Sequence, residues 1–248
     1  MSAPNSPPLP PPPPRKEIVA SAVLAGICAL SPVPFVDDLV IGAIRRRLVR
    51  RLFRARGVTL SWPQQRALTR TGSNWLLGCL GALVIYPIKK IFRKIFYVFA
   101  VKEAVDVASR LLHQGLLVEH ALERGCIQAG ELGDQREPLE RLNRIIRETC
   151  DETDTSPVGQ ILKRSFAGGR VFLRRLGRQV VRQLRAHGLL RRARETDALP
   201  DGIGGDRERG LMADLRGALL GEEDYFQALH ERFDRRWAGA PPVDRPPR

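Results

Sequence analysis

The sequence predicts an all-α fold, a helical bundle of about seven to nine helices whose Pro-rich ends are expected to be disordered. Apolar residues recur along most of the chain with the 3.6-residue period of amphipathic helices. No stretch alternates apolar and polar residues for long enough to build a sheet. Two short runs without charge, at 18–36 and 75–88, predict two strongly apolar helices. A chain of 248 residues is long enough to bury such helices in a core.

Changes in composition divide the chain into four parts. Residues 1–15 and 238–248 are rich in proline and are predicted to be disordered arms. Residues 16–125 contain both apolar runs and the first basic helix, and we predict that they form a membrane-associated helical domain. A break that contains glycine then leads to a second helical region at 139–237.

The first apolar run ends at a rigid corner, residues 31–38 (SPVPFVDD). Each proline removes a backbone donor and disfavours the α conformation in the residue before it, so the helix must stop there. The remaining helix, Ile18–Leu30, has 13 residues and is about 20 Å long, against a bilayer core of about 30 Å. Its many small residues favour close packing against another helix. We predict that Ile27 and Leu30 insert into a membrane; burial in a soluble core is the alternative.

A strongly basic amphipathic helix, Leu39–Arg56, follows the corner. Asp37 or Asp38 is the predicted N-cap, and Gly57 is the predicted left-handed stop. One face carries the apolar stripe Ile41, Ile44, Leu48, Leu52 and Ala55. The opposite face carries the predicted lipid-contacting residues Arg46, Arg47, Arg50 and Arg54. This pattern is typical of a helix at an anionic membrane interface, and it also suits a phosphate backbone.

The second apolar run, Trp75–Ile88, is bracketed by aromatic residues and followed by a cationic cluster. Aromatic side chains beside lysines are typical of the headgroup level of a membrane. The predicted inserting residues are Trp75, Leu80, Val84 and Tyr86, and the predicted lipid-contacting residues are Lys89, Lys90, Arg93 and Lys94. Because positive charge flanks both apolar runs on both sides, it favours re-entrant or in-plane segments over a fixed crossing. A helix buried in a soluble bundle is the alternative.

A long helix is predicted over Ile91–Arg124. Its core stripe consists of Val101, Ala104, Val105, Ala108, Leu112 and Leu122. A polar stripe at helical spacing consists of Glu103, Asp106, Arg110, His113 and His120. We interpret this stripe as a solvated face; a metal or proton-relay site is the alternative, for which no second carboxylate–histidine helix is visible.

The C-terminal region continues the helical pattern. It predicts a short helix over Leu139–Cys150, an acidic turn at Asp151–Ser156 and a second Arg-rich helix pair over Val158–His187. A Gly-rich loop at Pro200–Asp206 precedes two terminal helices, Leu211–Leu220 and Glu222–Trp237.

The charge distribution points to an anionic partner. The formal net charge is +14, and two basic blocks, 37–102 and 156–194, alternate with two acidic ones. We predict a non-enzymatic protein that binds anionic phospholipid at the cytoplasmic face of the membrane. Nucleic-acid binding through Arg45–Arg56 and Arg170–Arg185 is the alternative function. The Pro-rich arm is a possible ligand for a protein partner, and no catalytic motif, cofactor motif or metal-ligand cluster is visible in the sequence.

The corner carries a resemblance to known proteins. An apolar helix of small residues, a Pro-x-Pro/Asp corner and an Arg-bearing helix that ends in glycine, as in Ser31–Gly57, resemble uncharacterised bacterial helical proteins of the EcsC-like and YcjF-like type. The resemblance covers about the first 120 residues. It implies a helical fold and association with membranes, and it supplies no catalytic residues.

Overall fold

The computed structural model describes residues 15–29, 36–69, 93–127, 135–168, 213–215, 217–219 and 221–240. Seven helices lie in these ranges: α1 (Arg15–Ala29), α2 (Val36–Arg54), α3 (Trp62–Thr69), α4 (Arg93–Glu123), α5 (Glu137–Asp151), α6 (Ser156–Gly168) and α7 (Glu223–Gly239). Residues 213–215 and 217–219 are also helical, and the described part of the chain contains no strand. The prediction of an all-α fold is confirmed. The predictions for residues 1–14 and 241–248 of the Pro-rich arms, for Trp75–Ile88 and for the second basic pair beyond Gly168 fall outside the described residues. Arg15 and residues 238–239, which were predicted to belong to the disordered arms, are helical.

Helix α1 contributes a large part of the core. It packs mainly against α4 and also against α2, and nine of its fifteen residues are buried. The small residues bring the helices close together: a Cβ added at Gly26 would lie 2.8 Å from the carbonyl oxygen of Ala104 and 2.8 Å from the ring of Phe166. Ile27 is only 3% exposed and belongs to this core, so it is not at the protein surface. In this fold the close packing predicted for the run takes place inside the protein.

Helix α2 follows the predicted stripe but buries a wider face. Ile44, Leu48 and Leu52 are each about 1% exposed, and Val49 and Phe53 are buried beside them. The helix begins at Val36, so the predicted N-caps, Asp37 and Asp38, lie instead within its first turn.

The predicted stop at Gly57 is confirmed. Its φ of 73° is in the left-handed region that favours glycine. The amide of Gly57 bonds to the carbonyl of Arg54 at 2.9 Å, and that of Val58 bonds to Phe53 at 3.0 Å. These two bonds form a Schellman motif, in which buried Val58 packs near buried Phe53. The motif turns the chain from α2 toward α3.

Helix α3 is held at its C-terminal end by amide side chains from two other helices. Asn143 of α5 donates to the carbonyl of Ala67 at 3.0 Å, and Gln114 of α4 donates to that of Leu68 at 3.2 Å. Both amide side chains are buried. They satisfy carbonyl groups that a helix end leaves without intrahelical partners.

Helix α4 confirms the predicted core stripe and corrects the polar one. All six predicted core positions are buried: Val101, Ala104, Val105, Ala108, Leu112 and Leu122. Glu103, Asp106 and Arg110 are exposed, as expected for a solvated face. His113, however, is completely buried, so the solvated-face interpretation is wrong at this position. The cause is tertiary: α7 covers this part of α4.

Helices α5, α6 and α7 join the same core. The predicted helix at 139–150 is confirmed as α5, and the predicted terminal helix at 222–237 is confirmed as α7. Leu229 and Phe233 of α7 are completely buried, and α6 packs along α4. One continuous cluster of buried side chains therefore includes residues from both sides of the predicted boundary at 125–138.

Candidate functional site

The predicted basic face of α2 lies on the side opposite its buried stripe. Arg46, Arg47 and Arg50 are half-buried, and Arg54 is exposed. Burial, and then the nearby positive charge of Arg50, lower the pKa of Arg46. The helix therefore concentrates several like charges on one face, which favours an anion nearby.

An exposed tryptophan lies beside these arginines. Trp62, the first residue of α3, is 37% exposed, and among the described residues it is the one large apolar side chain that remains exposed. The guanidinium carbon of Arg46 lies 5.2 Å from the centre of the indole ring, within the range of a cation–π contact. We call the surface formed by Arg46, Arg47, Arg50, Arg54 and Trp62 the α2–α3 basic surface.

Hydrogen bonds hold α3 against α2 in this arrangement. Arg50 donates to the side-chain oxygen of Gln65 at 3.3 Å, and Gln65 donates to the carbonyl of Leu60 at 2.8 Å. The side-chain oxygen of Gln64 accepts the amide of Ser61 at 2.8 Å, just before the first turn of α3. The position of Trp62 beside Arg46 is therefore fixed by the loop and by both helices.

Arg51 and Arg56, which are not part of this surface, pair with carboxylates of other helices. Arg51 lies 3.3 Å from Glu17 of α1, and Arg56 lies 3.3 Å from Glu123 of α4. Arg45 faces Arg110, and its pKa is lowered by burial and then by that charge. The charges of Arg51 and Arg56 are thus partly balanced inside the fold, at sites distinct from the α2–α3 basic surface.

The remaining predicted site residues lie mostly outside the described part of the chain. These are Leu30, Trp75, Leu80, Val84, Tyr86, Lys89 and Lys90. Arg93 and Lys94 form the first turn of α4. The predictions for these residues stay predictions.

A second polar cluster, which the sequence did not predict, joins α4 to α7. His113 Nδ1 lies 2.6 Å from the carbonyl oxygen of Ser109, and His113 Nε2 lies 2.6 Å from the hydroxyl of Tyr225. A carbonyl can only accept, so Nδ1 carries the proton and Nε2 of the neutral ring accepts from Tyr225. Burial lowers the pKa of His113, and the bond to Ser109 opposes this only in part. The ring is thus a neutral structural link.

Two more histidines, His120 of α4 and His230 of α7, lie farther along the same two helices. The rings of His120 and His230 stack at 4.2 Å with an angle of 2°. His120 Nε2 lies 2.9 Å from a carboxylate oxygen of Asp234, and Arg124 donates to the other oxygen at 3.0 Å. Burial, and then the charges of His120 and Arg15, lower the pKa of His230 to about 4, although Asp234 acts in the opposite direction. His230 is therefore uncharged near neutral pH.

A cavity of about 280 Å³ lies beside this cluster. Its apolar wall consists of Val19, Leu112, Leu116, Leu219 and Phe226. Four polar side chains complete it: Arg15, Glu223, Gln227 and His230. An apolar wall with a few polar groups is the usual composition of a small-molecule site.

Comparison of the chain with models of protein families, with curated proteins and with solved structures gives no match. Of the helices that the structure describes, none combines the length and the apolar composition of a membrane span. In the same residues, no three His, Cys, Asp or Glu side chains lie close enough together to hold a metal ion.

Sequence patterns pointed to His113 and His120 as polar positions of α4, but not to Trp62 or to the contacts that these side chains make. The Trp62-Pro63 pair begins α3, but no local pattern places the indole beside Arg46. His113 and His120 lie seven residues apart and so share a face of α4. Their partners come from α7, more than 100 residues away, and no local pattern specifies that register.

Proposed function

We propose that this protein is a non-enzymatic, peripheral protein of the cytoplasmic membrane face, which binds anionic phospholipid through the α2–α3 basic surface. The contact between Arg46 and the exposed ring of Trp62 is the observation that carries the proposal. Tryptophan is enriched at membrane interfaces because its ring is amphipathic, and arginine there pairs with lipid phosphate.

The physical basis is electrostatic attraction with a small apolar contribution. Each Lys or Arg near an anionic leaflet contributes about 1 kcal/mol, so four arginines acting together are sufficient for reversible binding. The pKa of Arg46 is lowered by burial and by Arg50, and a lipid phosphate would relieve this crowding of positive charge. The apolar stripe of α2 is buried in the protein core. The helix would therefore contact the membrane through its arginines and would not insert.

In this proposal the second apolar run, Trp75–Ile88, inserts into the membrane. Its residues would add a contribution of about 0.8 kcal/mol for each buried methylene, which salt does not weaken. Aspartate at Leu80 and Val84 should therefore weaken binding to neutral and anionic vesicles alike. Unchanged binding of this double variant would remove insertion from the proposal and leave the basic surface as the binding element.

Vesicle co-sedimentation tests the basic surface directly. The variant Arg46→Gln, Arg47→Gln, Arg50→Gln, Arg54→Gln should bind phosphatidylglycerol vesicles at least tenfold more weakly, since each 1.4 kcal/mol corresponds to a factor of ten. Its binding to neutral phosphatidylcholine vesicles should not change. The matched control removes four exposed charges elsewhere: Arg144→Gln, Arg147→Gln, Lys163→Gln, Arg164→Gln. Equal binding of the two variants would refute a specific surface.

Nucleic acid is the alternative partner for the same charges. Aromatic rings that bind single strands stack bases on their faces. One face of Trp62 is already covered by Arg46, which favours lipid over base stacking. Salt-sensitive binding of a random duplex, together with no binding to anionic vesicles, would replace the lipid proposal by this one.

A further inference from the structure

We infer that the cavity between α1, α4 and α7 is a binding site for a short-chain aliphatic carboxylate, with its carboxylate at Arg15 and its chain against the apolar wall. This inference goes beyond the proposed function and does not depend on it. The site lies on a different group of helices from the α2–α3 basic surface.

The apolar side chains of the cavity determine which hydrocarbon part of a ligand it can hold. Val19, Leu112, Leu116 and Leu219 are all less than 9% exposed, so the cavity reaches the side chains of the core itself. These residues are aliphatic, and Phe226 adds one ring. The wall therefore suits an unbranched hydrocarbon chain, which gains affinity from each methylene removed from water.

The size of the cavity limits the length of that chain. Its volume of about 280 Å³ lies just below the range of about 300–1,000 Å³ that is typical for drug-sized ligands. A phospholipid with two long chains would not fit in this space. A single short chain would.

The polar groups determine the head of the ligand. Arg15 is exposed at the first residue of α1, where its guanidinium can pair with a carboxylate in two parallel hydrogen bonds. Gln227 of α7 also lines the cavity, but its amide nitrogen already donates to Glu231 at 3.0 Å. His230 is neutral near pH 7, so among the described residues that line the cavity Arg15 is the one cation. Glu223, at the first residue of α7, would repel the carboxylate, and the ligand head must therefore lie on the side of Arg15.

Calorimetric titration of the full chain with octanoate, octanol and octylamine tests this inference. These three compounds share one chain and differ in the charge of the head. Octanoate should bind, octanol should bind more weakly and octylamine should bind most weakly. Along hexanoate, heptanoate and octanoate, affinity should rise about fourfold for each methylene. No binding of octanoate, or equal binding of octanoate and octylamine, would overturn the inference.

Two substitutions of neighbouring cations locate the head group. Arg15→Gln should weaken the binding of octanoate at least tenfold and leave the binding of octanol unchanged, because it removes only the charge-assisted pair. Lys16→Gln is the matched control, since Lys16 is also exposed but does not line the cavity. Val19→Phe, which fills the cavity, should abolish binding of both compounds. Equal effects of Arg15→Gln and Lys16→Gln would contradict the assigned position of the carboxylate.

Discussion

Tyr225 donates a hydrogen bond of 2.6 Å to Nε2 of His113, a ring that is completely buried. The other nitrogen of the ring donates to the carbonyl of Ser109, so both nitrogens of the neutral ring have a partner. This pair connects two positions 112 residues apart and fixes how α7 lies on α4.

Tyr225→Phe removes this hydrogen bond and leaves a buried acceptor without its partner. We expect the free energy of unfolding to fall by about 1–3 kcal/mol, because the desolvated nitrogen of His113 is no longer compensated. Urea denaturation followed by circular dichroism measures the change. A stability equal to that of the parent would show that His113 does not depend on Tyr225.

The cluster also shows where sequence reasoning reached its limit. Periodicity predicted α2, α4 and α5 within a few residues, because local spacing alone decides which side of a helix is apolar. It could not assign His113 to the interior, since burial there depends on α7, which arrives from the far end of the chain. In the same way, the apolar composition of α1 fits a bilayer and a protein core equally well. Only the observed contacts of Gly26 show which neighbours it packs against.

Gly26→Ala tests the close packing of α1. The added Cβ would lie 2.8 Å from the carbonyl oxygen of Ala104, so α1 and α4 must separate, at a cost of about 1–3 kcal/mol. Gly159→Ala in α6 is the matched control, because the nearest described neighbour of its Cβ would be Val105 at 3.8 Å. This control should stabilise the protein by about 0.5–1 kcal/mol through helix propensity. Thermal unfolding of both variants measures the contrast, and equal effects would contradict the described packing.

Glu119 is a buried carboxyl group on α4 whose charge destabilises the fold. Burial, and then the neighbouring charge of Glu123, raise its pKa to about 7, while Arg15 and Arg56 act in the opposite direction. Because the folded-state pKa is above the unfolded value of 4.5, stability from this group is present below pH 4.5 and is lost as the pH rises through 7. Glu119→Gln should therefore raise the free energy of unfolding by roughly 1–2 kcal/mol more at pH 8 than at pH 5. An equal effect at both pH values would contradict the raised pKa.

The titration of His230 changes the stability with pH in the opposite direction to that of Glu119. Its folded-state pKa of about 4 is below the ordinary value of 6.5, so its contribution is present above pH 6.5 and is lost as the pH falls toward 4. His230→Gln keeps a polar side chain and removes this titration. We expect the melting temperature of the parent to fall more steeply than that of the variant between pH 6.5 and 4.5. Parallel curves over this interval would mean that His230 is accessible to protons in the folded state.

Fluorescence quenching by brominated phosphatidylglycerol vesicles measures whether Trp62 lies at the membrane. Trp62→Phe keeps an apolar ring and removes one of the three indole fluorophores, Trp62, Trp75 and Trp237. We predict that the vesicles quench the parent protein, and that Trp62→Phe, at equal bound fraction, loses a large part of this quenching. Quenching that is the same in the parent and in bound Trp62→Phe would show that the α2–α3 basic surface does not face the lipid, and it would contradict the proposed function.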